Sequence, residues 1–347
     1  MKAENSVLIK NIYYMLAYAY KALRRDGFEK VAAESFDNIH DLFAAILIKG
    51  IERQIKQGLT KEYVKSCRLQ KTLRGKIDIA GTVGQMAKRR KELSCVYGIL
   101  TENNLFNRIL KAAVILLLNH GEVKHENKIA LKKLLPLLSN VCDIKPLEIN
   151  WSLLSYRKGN ASYQMLIYLC RLLFEGMIIS HDGRVKLAKF LDGQHLCDLY
   201  EAFVRAYYER HYPQLNPRAA YVAWALDDKQ DMFLPGMYTD TMLESSDKVL
   251  IIDTKCYRRI LTQQYDKKSV CSANLYQIYA YVKNKTAVTD KGVSGMLLYA
   301  KTDEDITPNV VYSMGGNKIF VRTLNLNCEF EKIKEQLDKI VAENFTA

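Results

Sequence analysis

The chain of 347 residues is long enough for two domains with a core each, and its 49% hydrophobic and 26% charged residues exclude a disordered polymer. The 51 Lys and Arg against 38 Asp and Glu give a formal net charge of +13. That excess favours a polyanionic partner, because each phosphate neutralised by a basic side chain releases condensed counterions. Eight cysteines, at 67, 95, 142, 170, 197, 256, 271 and 328, form no C-x-x-C pair, and the six scattered histidines complete no zinc-ligand spacing. A reducing, cytoplasmic compartment is therefore expected. MKAENSVLIKN lacks the sustained apolar core of a secretory signal. The longest apolar runs, LKAAVILLLNH and YQMLIYLCRLLFEGMII, are too short to span a bilayer or carry Arg171 and Glu175.

In chain order, Ile12, Met15, Leu16 and Ala19 recur at helical spacing, so an amphipathic helix is predicted over 8–24 and a second over 38–57. TKEYVKSCRLQKTLRGKIDIAGTV then alternates polar and apolar residues around RGK and AG turns, which predicts short strands. Helical periodicity returns in ENNLFNRILKAAVILLLNH, with Asn103 or Asn104 as the N-cap, and again over 128–139. In this half Arg74 and Lys76 stand in a turn, and Asn107, Arg108 and Lys111 recur along one helix as a solvated basic face. Periodicity is lost between 143 and 162, where a linker or boundary is expected. Beyond it the pattern predicts helices at 163–179 and 195–212, a strand from 218, a strand pair over 233–255 and a helix at 273–284. A strand at 294–300, another at 318–326 and a helix at 329–344 complete the chain. The expected fold is mixed α/β (α+β), divided as 1–155 and 156–347, with a mixed sheet flanked by helices in the second domain.

The chemistry concentrates in FLPGMYTDTMLESSDKVLIIDTKCY. Pairing Met242 with Ile251 and Glu244 with Val249 leaves a four-residue loop and sets Asp240 opposite Asp253. Strand alternation then puts Asp253 and Lys255 on one face and Thr254 on the other. Two facing carboxylates repel unless a cation or a raised pKa compensates. Mg2+ accepts such a site, with one or two carboxylates completed by water and phosphate. The bland alternative is a structural Asp–Lys pair at a hairpin end. The acidic run LDDKQD, with Asp227, Asp228 and Asp231, reads as a solvated turn.

Asp240 followed by Asp253-Thr254-Lys255 is similar to the D…(D/E)-x-K pattern of the PD-(D/E)xK nucleases, with Thr239 in place of the proline. More of the chain resembles the McrC family, the nuclease subunits of modification-dependent McrBC restriction systems. The matching segments are NIYYMLAYAY, RGKIDIAGTV, LTENNLFNRILKAA, LPGMYTDTML, LIIDTKCY and NLYQIYAYV, in this order. The resemblance implies a Mg2+-dependent type IV endonuclease with Asp240 and Asp253 as metal ligands and Lys255 as the water-positioning or charge-stabilising group. It implies that Gln277 and Tyr281, on one helix face with Asn274, border the site, Gln277 as a catalytic residue. Glu201 is a further candidate ligand from an upstream helix, although Arg205, four residues on, offers it an ordinary surface pair. The first domain is expected to engage and stimulate an McrB-like AAA+ GTPase, with Arg74 and Arg108 as candidate contacts. No G-x-x-x-x-G-K-[ST] loop occurs, so GTP is expected on the partner and double-stranded DNA with modified (5-methyl)cytosine as substrate. Two alternatives stand beside this: a non-cleaving activator of an AAA+ motor, and a nuclease subunit whose motor reads an unmodified sequence.

Overall fold

The computed structural model describes residues 2–20, 36, 38–157, 159–178, 194–228, 232–256, 261–264, 267–301 and 307–345. The first elements are α1 (Lys2–Ala19), α2 (Ile39–Gln57), β1 (Glu62–Gln70), β2 (Lys76–Ile77), α3 (Ile79–Ala87) and β3 (Leu93–Thr101). Next come α4 (Leu105–Asn119), α5 (His125–Leu134), α6 (Gln164–Ile178), α7 (Gln194–His211), β4 (Arg218–Val222), β5 (Met237–Glu244) and β6 (Lys248–Lys255). The remainder is β7 (Leu261–Gln264), β8 (Lys267–Val270), α8 (Ser272–Ala287), β9 (Gly292–Ala300), β10 (Val310–Met314), β11 (Asn317–Leu324) and α9 (Phe330–Phe345). No described helix is long and apolar enough to cross a membrane.

Contacts divide the chain into one unit of residues 43–174 and another of residues 1–42 with 175–347. This runs differently from the expected division at 155. The segment 143–162, expected as a linker, lies inside the first of these units. It is built of short 3-10 turns, Pro146–Glu148, Trp151–Leu153 and Ala161–Tyr163.

In the 43–174 unit β3 is central, antiparallel to β1 through Glu62↔Thr101 to Gln70↔Leu93 and to β2 through Lys76↔Val96. The RGK turn forms as expected, with Gly75 at φ +73°. Ala80-Gly81 does not turn. It lies in α3, which Asp78 precedes as N-cap residue. Asn104 caps α4 by accepting from the Asn107 amide at 3.1 Å. Asn107 is fully buried, its amide nitrogen donating to the carbonyls of Thr60 and Glu102 and its oxygen accepting from Tyr163. Lys111 donates to the Val141 carbonyl at 2.7 Å and pairs with Asp143 at 2.8 Å. Arg108 donates to the Asp143 carbonyl. The expected solvated basic face is thus an internal clamp on 141–143. Charge at helical spacing says nothing about which carbonyls a later loop will bring to it.

The second unit is organised by a six-stranded sheet in the order β10-β11-β9-β6-β5-β4. β6, β9 and β11 run parallel, while β5, β4 and β10 pair antiparallel to their neighbours. Helix α8 covers one face, packing Ile278, Tyr281 and Val282 against Val249, Ile251, Leu297, Ile319 and Val321. The alternate residues of the same strands, such as Leu250, Ile252 and Leu298, are buried on the other face, where α7 and α9 contact the sheet. Helix α1 packs on α7. Tyr18 meets Phe203 edge to face with ring centroids 5.6 Å apart, and its hydroxyl lies 2.9 Å from His211 Nε2. Asn11 donates to the carbonyls of Leu326 and Cys328 at 2.6 and 2.8 Å.

One close approach sets the depth of α8. A Cβ on Gly295 of β9 would come within 2.7 Å of Val282 Cγ2 and 2.8 Å of Ile278 Cγ1. Gly295→Ala is therefore expected to destabilise the chain by about 1–3 kcal/mol through overpacking. Urea unfolding checks this, and an unchanged midpoint would show that α8 can shift without cost.

Candidate active site

The hairpin forms in the expected register, Met242↔Ile251 and Glu244↔Val249, and its last ladder pair is Thr241↔Ile252. Asp240 and Asp253 lie beyond that pair and are not partners in the ladder, and β5 shifts register against β4 between Thr239 and Met242, so the expected Asp240–Asp253 pairing does not form. A strand amide left without a cross-strand partner there needs another acceptor. Asp240 supplies it: its Oδ2 accepts from the Thr254 amide and from Thr254 Oγ1, both at 2.7 Å. Thr254, expected to face away from the site, therefore orients one of its carboxylates.

Asp253 is 1% exposed. Lys255 Nζ stands 2.6 Å from its Oδ2 as an ion pair, and no other donor among the described residues satisfies either Asp253 oxygen. Burial lifts this carboxyl from 3.8 to about 6. The Lys255 charge opposes that shift, and the nearby Asp240 and Glu201 carboxylates add to it. Lys255 also donates to Gln277 Oε1 at 3.0 Å, and Gln277 Nε2 donates to the Tyr281 hydroxyl at 2.9 Å. α8 thereby holds the ammonium in place through a two-step relay. Asn274 is buried and donates to the Tyr299 hydroxyl, a role in the core.

Glu201 sits on α7 with its carboxyl raised by burial and by the charge of Asp240, against the pull of Arg205. Arg205 Nη1 bonds Glu201 Oε1 at 3.1 Å and the Asp240 carbonyl at 2.7 Å. The ordinary pair foreseen from the spacing is present, but it also ties α7 to the backbone of Asp240. The Glu201, Asp240 and Asp253 oxygens do not all come within 4.8 Å of one another among the described residues.

The donor set fits a hard divalent cation. A buried carboxylate has Lys255 alone against it, a second carboxylate near it has one oxygen held still by Thr254, and all the ligand atoms offered are oxygen. Thr254→Val keeps the amide bond to Asp240 and removes the hydroxyl one. The expected result is about a 10–150-fold weaker hold on a divalent ion, the size of a lost hydrogen bond to a charged group. A titration of rate against Mg2+ decides it, and an unchanged midpoint would remove Thr254 from the site.

Elsewhere the sequence-derived candidates scatter. Arg74 stacks over the Tyr97 ring at 4.3 Å on the exposed β1–β3 layer. Arg108 belongs to the clamp on Asp143. Asp227 and Asp228 are exposed, as a solvated turn requires, and Asp231 lies outside the described residues.

A mixed sheet between helix layers, with two carboxylates and a lysine at the end of a buried hairpin, defines an α/β fold with an acidic site. Residues 2–300 match the family described as McrBC 5-methylcytosine restriction system component, and the chain belongs to that family. The McrC resemblance of its sequence motifs is upheld. A curated relative, the type IV methyl-directed restriction enzyme EcoKMcrBC of Escherichia coli (strain K12), is 25% identical over 340 residues, covering 96% of this chain and 97% of the relative. Two solved structures are also similar. One is a half-complex from the tetradecameric assembly of Thermococcus gammatolerans McrB AAA+ hexamers with bound McrC, with a TM-score of 0.49, 16% identity and coverage of 96% of this chain and 75% of that one. The other is the Thermococcus gammatolerans McrBC complex, with a TM-score of 0.40, 18% identity and coverage of 60% and 59%.

Proposed function

We propose that this chain is the DNA-cleaving subunit of a GTP-dependent, McrBC-like restriction complex acting on DNA with modified (5-methyl)cytosine, and that it stimulates the GTPase of an McrB-like AAA+ partner. Family membership supports the system, and the name of the Escherichia coli relative supports methyl-directed restriction. The observation that carries the catalytic part is Asp253, a buried carboxylate near Asp240 whose sole partner among the described residues is the Lys255 ammonium. Eight free cysteines support action in the reducing cytoplasm.

Asp240 and Asp253 would hold Mg2+, with Glu201 as an outer carboxylate. A divalent ion there supplies polarisation of the scissile phosphate and a bound water of lowered pKa. Thr254 fixes the rotamer of Asp240 through two hydrogen bonds. Lys255, steadied by Gln277, presents its ammonium where negative charge grows on the phosphate or where an attacking water needs orientation. The β1–β3 layer, with Arg74 on it, is the region proposed to engage the partner; the clamped Arg108 contributes less directly.

Asp253→Ala is expected to abolish cleavage of methylated DNA in the presence of partner, GTP and Mg2+ while the partner's GTPase stays stimulated. Cleavage at the parent rate by that variant would remove the site. Stimulation with no cleavage even by the parent chain would make the chain an activator only, and equal cutting of unmethylated DNA would move recognition to an unmodified sequence.

A further inference from the structure

Two thiols meet where α7 passes the end of β6. Cys197 lies in the first turn of α7, and Cys256 directly follows Lys255, the last residue of β6. Cys197 Sγ donates to the Cys256 carbonyl at 2.9 Å, across 59 residues of sequence. A hydrogen bond with the Cys256 side chain itself holds the Cys197 thiol below its ordinary range, against burial and the charge of Asp198. Burial, and after it the charge of Cys256, pushes up the hydroxyl of Tyr200, three residues along α7. The Cys256 sulfur is thus placed against α7 by two neighbours. Both thiols are free and half-buried.

Their surroundings separate this pair from other cysteines. Burial pushes up the thiols of Cys170 and Cys328. Cys67 and Cys142 are exposed, but they bond to Ser94 and Asn103 rather than to a second thiol. A thiolate is what attacks an oxidant, so a half-buried thiol held low beside another is the arrangement that oxidises to a disulfide. Disulfides of the cytosol are characteristically transient and redox-sensing. The pair also adjoins the candidate site at both ends, since Glu201 is one helical turn beyond Cys197 and Lys255 precedes Cys256. A disulfide closes the two sulfurs to about 2.05 Å, nearer than any non-bonded contact. That draws the end of β6 towards α7, while Lys255 is bonded to Gln277 of α8 on the opposite face of the sheet.

We propose that Cys197 and Cys256 close into a reversible disulfide with a peroxide as oxidant, and that the oxidised chain cuts DNA more slowly. The second half rests on the nuclease reading. The Cys197 thiolate attacks one peroxide oxygen and breaks the O–O bond, giving a sulfenic acid and hydroxide. The Cys256 thiolate then attacks the sulfenic sulfur, the S–S bond forms and a second hydroxide leaves. The two thiol protons turn both hydroxides into water. The sulfurs lose two electrons and the peroxide gains them.

The test exposes the full chain to hydrogen peroxide, blocks the remaining thiols with an alkylating reagent and adds partner, GTP, Mg2+ and methylated DNA. Peptide mass mapping without reductant is expected to show the peptide of Cys197 joined to that of Cys256. Single-turnover cleavage is expected to fall about 10–100-fold, the cost of misplacing a reacting geometry by about 1 Å. Dithiothreitol is expected to reverse both changes, which oxidised methionine would not allow. Cys197→Ser and Cys256→Ser are expected to cut like the parent in reductant and to keep that rate after peroxide. Absence of the joined peptide, or either sulfur joined to Cys67 or Cys142 instead, overturns the proposal. So does inactivation that persists in both serine variants, or a formed disulfide with undiminished cutting. A parent chain that cuts nothing in reductant refutes the nuclease reading, and the mass map still decides whether the pair closes.

Discussion

Asp253→Asn is expected to make the metal-free chain more stable at about pH 7.5 while it removes cleavage. Burial raises this carboxyl from 3.8 to about 6 in the folded chain. Below about pH 4 both folded and unfolded chains keep the proton, and the carboxyl contributes nothing to the difference. Between about pH 4 and about pH 6 the unfolded chain gives up its proton first, so stability falls as pH rises and stays low above that window. Two pKa units correspond to about 3 kcal/mol, and asparagine keeps the shape without the charge, so a gain of about 1–3 kcal/mol is expected. Urea midpoints measured across that pH range should converge in acid; a gain that persists at pH 4 would mean the carboxylate is not the source. Mg2+ should raise the melting temperature of the parent and leave the variant unmoved, because only a cation that binds the folded state stabilises it.

Lys255→Met is expected to act in the opposite direction on stability. It strips a 99%-buried carboxylate of the ion pair at 2.6 Å and takes the donor from Gln277 Oε1. Breaking a buried pair from one side costs about 3–5 kcal/mol when the remaining charge cannot escape. Asp253 can escape by taking a proton, so a loss of about 3 kcal/mol is expected near pH 8 and a smaller one near pH 5. Single-turnover cleavage should fall about 10²–10³-fold, the range for removing one preorganised donor from a charged transition state. Asp253→Asn with Lys255→Met should regain most of the lost stability and none of the activity. A double variant no more stable than Lys255→Met would show that Lys255 acts through packing of its aliphatic stem.

The hairpin register was legible because a period of two and a polar four-residue loop leave one pairing that buries Val249, Leu250, Ile251 and Ile252. The long helices and the Asn104 cap were legible for similar local reasons. What escaped was set by distant partners. Strand β10 has an exposed run and exists by pairing with β11 around Gly315-Gly316. Helix α3 formed where Ala-Gly had read as a turn. Within the site, Lys255 and Gln277 could be proposed from face and spacing. Thr254 could not, because alternation sends its side chain away until the ladder ends and Asp240 turns to meet it. Arg205 was visible only as half of a helical pair, since the Asp240 carbonyl it also holds is 35 residues away.

Asn11 has a consequence for synthesis. Its two carbonyl partners lie 315 and 317 residues downstream, and between them the chain makes a separate compact unit of residues 43–174. The helix that carries Asn11 must wait for a segment more than three hundred residues downstream to be made, whereas the intervening unit can condense during translation. Such long-range closure is slow and leaves Ile12, Met15 and Leu16 uncovered in the nascent chain. The six-stranded sheet that carries Asp240 and Asp253 is therefore assembled only after the 43–174 unit has been made.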